Sequence, residues 1–425
     1  MKGQRERFIF IFIFAFFTSF AVFAQKDDNL QAIFKRKLDS VFKQQQLVGA
    51  SMIVVKNNEI VHESYLGKAN LARGIAITQN TQYRVASISK VVTAIALMQL
   101  YEQNFFTLDD DISKHLGYAV KNPMFPNKVI TIRHLLSHTS TITDWAVWDN
   151  FIRQTFSYPT ASFSVLFDST RKGYNKDIFL RQEPEAYFAY CNIAYGMIAS
   201  LVEKYSNKRF DVYCKEYIFK PLEMKASFNT DDLNINNLAV LYRKYGKNWV
   251  AQADNFNGVR PLSRNWSNYQ LGTNGLLSGA QGNLRASAQD LYKIMAMLMN
   301  QGTWEGKQIL QKKTVTEMLK EQWRYNGNNA YDKELVYQAW ALGLQVTTNQ
   351  LDGIDTVFPE TNMCGHAGDA YGLISDIFFD PKTQSGLIFI TNGSGLPFKT
   401  KYKNALFPAE KAIFKIVYEC FFGQK

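Results

Sequence analysis

A chain of 425 residues with 48 Lys and Arg against 37 Asp and Glu has room for a large core and carries a formal net charge of +11. Its cations are scattered and its aromatics fall in apolar runs, so nothing resembles a nucleic-acid module. There is no C-x-x-C, no H-E-x-x-H, no close His/Cys cluster and no glycine-rich phosphate loop, so neither a metal nor another cofactor is called for.

The chain starts with a basic stretch (Lys2, Arg5, Arg7), a short apolar run from Phe8 to Phe17 and the small-residue pattern Val22-Phe23-Ala24. This reads as a signal peptide over residues 1–24, cleaved after Ala24. The run is short for a membrane span, which needs about 20 residues. No later segment is long and apolar enough, so no stable span is expected after cleavage. Removing the leader's net +2 (Lys2, Arg5, Arg7, Glu6) leaves +9 of the +11 on a periplasmic or secreted protein.

Residues 29–46 are patterned as an amphipathic helix. Strands at 48–55 and 60–65 flank Lys56-Asn57-Asn58-Glu59, a hairpin signal. A helix opens at Ser87, apolar nearly all round over 91–100 and therefore buried. Further helices are predicted at 193–204, 211–219 and 287–300. Strands return at 338–347, 371–380 and 386–392, and a helix over 408–422 closes the chain. No Pro/Ser/Gly-rich linker divides residues 25–425. The pattern predicts one α+β domain whose antiparallel sheet is built from the two termini and covered by helices. Its sheet lobe spans about 25–86 and 335–425, with a mainly helical lobe of about 87–334 inserted. Nothing in the pattern specifies an oligomeric state.

The chemistry begins at Ser87-Ile88-Ser89-Lys90. A serine and a lysine three apart on a first helical turn share a face. Serine needs an adjacent base to become nucleophilic, and a lysine whose pKa is lowered by burial can serve. The S-x-x-K spacing occurs three times. Ser40 with Lys43 lies in the amphipathic helix, and Ser169 with Lys172 in a polar loop. Only Ser87 stands between a strand-like run and a buried helix, where the helix N-terminus favours developing negative charge.

Three further stretches matter: Tyr190-Cys191-Asn192 before the 193–204 helix, His366-Ala367-Gly368-Asp369, and Thr131-Ile132-Arg133-His134-Leu135-Leu136-Ser137-His138-Thr139-Ser140. With Arg84-Val85-Ala86-Ser87-Ile88-Ser89-Lys90 and Pro221-Leu222-Glu223-Met224, they resemble the serine β-lactamase-like family over most of the chain. That family holds class C β-lactamases, D-Ala-D-Ala carboxypeptidases, D-amino-acid amidases and esterases. S-x-x-K is its known signature, and Tyr-x-Asn points to the class C-like branch. Tyr205-Ser206-Asn207 spells the commoner version but falls after the helix that the motif should precede.

The resemblance implies a β-lactamase/transpeptidase-like fold and an acyl-enzyme on Ser87, with Lys90 and Tyr190 as acid/base groups. Cations near Tyr190, from Lys90 or a charged His366, would favour its phenolate. Asn192, His366, Gly368 and Asp369 are the substrate-binding residues, Asn192 through its amide. The backbones of Ser87 and Asp369 would hold the oxyanion. His366 and Ala367 stand where relatives have K-T of K-T-G. A hydrogen bond to a charged group is worth about 1.5–3 kcal/mol, so carboxylate recognition is weakened unless Arg84 or another cation substitutes. Thr141 replaces the glycine of H-T-S-G, which implies a different loop geometry. His134 and His138 read as structural, helix-end residues. Cys191, Cys214, Cys364 and Cys420 allow three disulfide pairings, Cys191–Cys364 at the cleft among them, or four free thiols.

The reading is an exported serine hydrolase acting on an ester or amide of a small molecule or peptide, cell-wall fragments among the candidates, with no nucleic-acid partner. A D-Ala-D-Ala carboxypeptidase or β-lactamase is the alternative within enzymes. A slow or non-catalytic acyl-binding sensor of cell wall or antibiotic is the alternative outside them.

Overall fold

The computed structural model describes residues 29–151, 161–331, 337–349, 353–396 and 405–423. The expected leader lies outside the described residues. A nine-stranded sheet organises the rest. Its spatial order is Trp323–Arg324, Ala339–Trp340, Gln345–Val346, Cys364–Ala370, Leu373–Asp380, Ser385–Thr391, Gly49–Lys56, Glu59–Asn70 and Ile75–Ala76. Every neighbouring pair is antiparallel. The two ends of the chain meet in the middle, where Ile53 pairs with Ile388. The fold is therefore the α+β architecture the strand pattern implies.

Period-two alternation sorts the side chains between the two faces. Met52, Val54, Phe378, Leu387 and Phe389 pack against the helices at 29–44 and Pro408–Val417, through Phe34, Leu38, Ile413 and Val417. Ile53, Val55, Ile377, Phe379, Ile388 and Ile390 join the larger core on the opposite face, with helix Ala288–Met299. Burying each such side chain contributes about 1.5–3 kcal/mol, so a one-residue slip in register would be costly. The first hairpin turns on Asn57 and Asn58, at φ 52° and 66°. Asparagine tolerates this left-handed conformation better than most residues.

Helix Ser89–Glu102 is buried from Ser89 through Met98 and packs on helix Asn192–Ser206. The structure differs in detail from the expected elements at four places. The expected strand over 338–347 is two short strands around Gly343, at φ +83°. A Cβ there would lie 2.5 Å from that of Ala94, so only glycine lets the turn approach the buried helix. Cys364–Ala370 is a strand, although its glycines and polar residues hide the strand pattern. The region read as mainly helical also contains a hairpin, Leu241–Tyr245 with Asn248–Ala253. The helices expected at 211–219 and 408–422 both end in a wider π turn, Lys215–Phe219 and Tyr418–Phe422.

Candidate active site

Ser87 sits in the single 3-10 turn Ala86–Ile88 that opens the buried helix. Ala86, just before it, has φ +47°, an uncommon conformation for a residue with a Cβ. The Ser89 hydroxyl locks the turn by donating to the Ala86 carbonyl at 2.6 Å and accepting from Leu284 N–H at 3.0 Å. Strand Cys364–Ala370 closes on the same turn. At Gly368 a Cβ would meet the Val85 carbonyl at 2.6 Å and collide with the Ser375 hydroxyl. That hydroxyl donates to both Val85 O (3.1 Å) and Gly368 O (3.3 Å), tying strand and turn together.

Lys90 lies one helical turn on and is fully buried. Its Nζ reaches Ser87 Oγ at 3.2 Å, Asn192 Oδ1 at 2.8 Å and the Gln281 carbonyl at 2.7 Å. Burial pushes its pKa down to about 7, against a smaller opposing effect of Asp144 and Cys191. The Nζ also stands 4.8 Å from the Tyr190 ring centroid and 5.5 Å from that of Tyr195.

Tyr190 comes to the same point from the segment before helix Asn192–Ser206. Its hydroxyl hydrogen-bonds Ser87, and its ring stacks on Tyr337 at 5.5 Å. Burial drives its pKa well above 10, so the expected phenolate is not favoured. Desolvation is the largest effect, and Tyr337 adds to it. Tyr205, of the rival Tyr-Ser-Asn, bonds His115 instead, and Asn207 ends the helix at φ 52°.

The Asn192 side chain bridges two groups. Its oxygen accepts from Lys90, while its Nδ2 donates to Asp144 Oδ2 at 2.8 Å. His366 is buried beside Trp340, ring centroids 5.3 Å apart, and lies outside the cleft lining. Burial, aided by Lys90, lowers its pKa to about 3 and keeps it neutral. It supplies no positive charge to Tyr190 or to a substrate. His138 accepts from Cys191 N–H at 3.1 Å and is neutral for the same reason. All four cysteines are free, which removes the Cys191–Cys364 bridge; the Cys191 thiol donates to Asp144 instead. Thr141 takes φ +63°, the conformation a glycine adopts freely, so the loop holds that turn without one.

A cleft of about 780 Å³ opens over Ser87. Gly368, Asp369, Tyr190 and Asn192 line it, with Arg84 of the short strand Tyr83–Arg84 and Trp148. Arg84 lies 4.8 Å over the Tyr371 ring and bonds Asn283. Among the described residues, no group of three or more His, Cys, Asp or Glu is placed to hold a metal ion. No described helix is long and apolar enough to cross a membrane. Sequence reading missed Asp144 and Gln281. Both contribute through contacts 48 and 191 residues away along the chain, and neither carries a local pattern.

The beta-lactamase family model matches residues 30–407. The chain belongs to the beta-lactamase family. It is 27% identical over 198 residues to the D-alanyl-D-alanine-carboxypeptidase/endopeptidase AmpH of Escherichia coli (strain K12), which covers 47% of this chain and 49% of that protein. Protein flp of Staphylococcus aureus (strain MW2) is 26% identical over 210 residues, 49% of this chain and 40% of that one. The chain thus matches less than half the length of these curated relatives. The D-amino acid amidase from Ochrobactrum anthropi SV3, solved with D-phenylalanine, shares the fold at TM-score 0.63 and 20% identity, over 92% of this chain and 99% of that one.

Proposed function

We propose that the chain is an exported serine hydrolase that cleaves an ester or amide through an acyl-enzyme on Ser87. The observation that carries this reading is the Lys90 amine, fully buried, 3.2 Å from Ser87 Oγ and lowered to about 7. An amine with such a pKa is half neutral near pH 7. In that form two N–H bonds go to Asn192 Oδ1 and the Gln281 carbonyl, and the lone pair is left for the Ser87 hydroxyl.

The steps follow from that arrangement. Ser87 Oγ attacks the substrate carbonyl carbon as its proton passes to Lys90. The backbone N–H groups of Ser87 and Asp369 are the proposed oxyanion donors. Collapse expels the leaving group, which takes a proton through the Tyr190 hydroxyl. Tyr190 keeps its own proton when buried, so it works as a donor and relay rather than as a phenolate. Water then attacks the acyl-enzyme by the same route and regenerates Ser87.

A neutral His366 supports esters and amides whose recognition does not depend on a fixed cation at that place. The similarity to AmpH supports D-alanyl-D-alanine peptide cleavage as the second reading. Turnover of p-nitrophenyl acetate and butyrate, nitrocefin and a D-Ala-D-Ala peptide, with intact-mass detection of an adduct, separates these. Activity should vanish in Ser87→Ala; near-normal turnover there refutes the acyl-enzyme. An adduct that forms once and persists would favour an acyl-binding sensor.

A further inference from the structure

Asp144 is buried, and its two oxygens accept four hydrogen bonds from one short stretch of chain. Oδ2 takes the Asn192 backbone N–H at 2.7 Å and the Asn192 side-chain amide at 2.8 Å. Oδ1 takes Ile193 N–H at 2.9 Å and the Cys191 thiol at 3.3 Å. An amide has one accepting and one donating end. Because Asp144 is acceptor-only when ionised, it holds the Asn192 NH2, and the oxygen must then face Lys90. Without this carboxylate the amide can flip and present donors to the Lys90 amine.

We propose that Asp144 is the positioning residue of the site, the carboxylate that orients Asn192 and thereby seats the Lys90 amine against Ser87. The inference rests on Ser87 and Lys90 being the reacting pair. Asp144 also acts through its charge. Lys90 faces Asp144, Cys191, Tyr190, Tyr195, His138 and His366. Burial keeps both histidines neutral and holds the protons on Cys191, Tyr190 and Tyr195. Burial raises the pKa of Asp144, and its four hydrogen bonds oppose that rise; in its ionised form Asp144 is the negative charge that favours the Lys90 ammonium, and its removal should ease deprotonation.

The test compares Asp144→Asn and Asp144→Glu by two readouts. One is the NMR titration of Lys90 in lysine-labelled protein, assigned by the signal lost in Lys90→Arg. The other is kcat and KM across pH on whichever panel substrate turns over. In Asp144→Asn the Lys90 midpoint should fall by about half a pH unit or more. Its kcat should drop about tenfold to a hundredfold with KM nearly unchanged. Asp144→Glu should keep the wild-type midpoint. An unshifted midpoint in folded Asp144→Asn overturns the proposal. If that variant does not fold, Asn192→Ser keeps the backbone bond to Asp144 but cuts the link to Lys90, and undiminished kcat there overturns it as well. The Lys90 titration needs no turnover, so it is read even if Ser87→Ala shows another nucleophile.

Discussion

Lys90 Nζ donates to Asn192 Oδ1 at 2.8 Å, and with the Gln281 carbonyl at 2.7 Å this bond turns the amine so that Ser87 Oγ, at 3.2 Å, is its remaining partner. An ammonium would donate to all three of these oxygens; only the neutral amine keeps a lone pair for the Ser87 proton. The rate of acylation should therefore follow the protonation of Lys90.

That gives the first prediction. Burial lowers Lys90 to about 7, so kcat/KM should be low below this pH and rise through an acid limb centred near it. His366, lowered to about 3, is neutral throughout and adds no limb of its own. A profile flat from pH 5 to 9 would contradict Lys90 as the base.

Stability should report the same group. Lys90 has a folded pKa below its unfolded value of about 10.4, so between about 7 and 10 the unfolded chain binds more protons. Its destabilising effect is fully present below about pH 7 and fades as pH rises towards 10. The melting temperature of Lys90→Met relative to wild type should accordingly fall between pH 7 and 9.5, by an amount equivalent to a few kcal/mol. A difference independent of pH would mean that Lys90 is not buried as a charge.

Gly368→Ala tests the closure of the strand on the serine turn. Its Cβ would stand 2.6 Å from the Val85 carbonyl, against backbone that cannot yield as a side chain would. Overpacking of this kind costs about 1–3 kcal/mol. Moving the turn should lower kcat by about tenfold to a hundredfold. Thermal melts and kcat together check it, and unchanged values would show that the turn moves freely.

Across the sheet, Asp376 stands opposite Ala367 and faces Glu410 of the C-terminal helix. Burial raises both carboxyls, and the charge of Asp376 raises Glu410 further. A folded pKa above the unfolded one means stability is lost as pH rises from about 4 upwards. Asp376→Asn should reduce that loss, leaving the part that comes from the burial of Glu410. Its melting temperature relative to wild type should climb between pH 4 and 8, by about 1–3 kcal/mol in equivalent terms. A constant difference would argue against a shared, partly protonated pair.

Much of this was legible in one dimension. Ser87 and Lys90 are three residues apart, so a helical turn alone puts them on one face. The near-continuous apolar runs in Gly49–Lys56 and Ser385–Thr391 announced strands because both faces of the sheet are buried there. Strand Cys364–Ala370 escaped notice because its interior, Gly365, His366 and Gly368, is chosen for close approach rather than for β-propensity.

By itself the sequence determined the strand and helix periods, the pairing of Ser87 with Lys90 proposed as nucleophile and base, and the order of motifs that carries the family. All of these are local patterns or their succession. Tertiary structure alone decided the protonation states. Lys90 is lowered to about 7, Tyr190 keeps its proton and His366 stays uncharged because distant segments pack together and exclude water. Asp144 and Gln281 entered the site in the same way, through contacts spanning 48 and 191 residues. Desolvation belongs to the packed whole, and no local spacing encodes it.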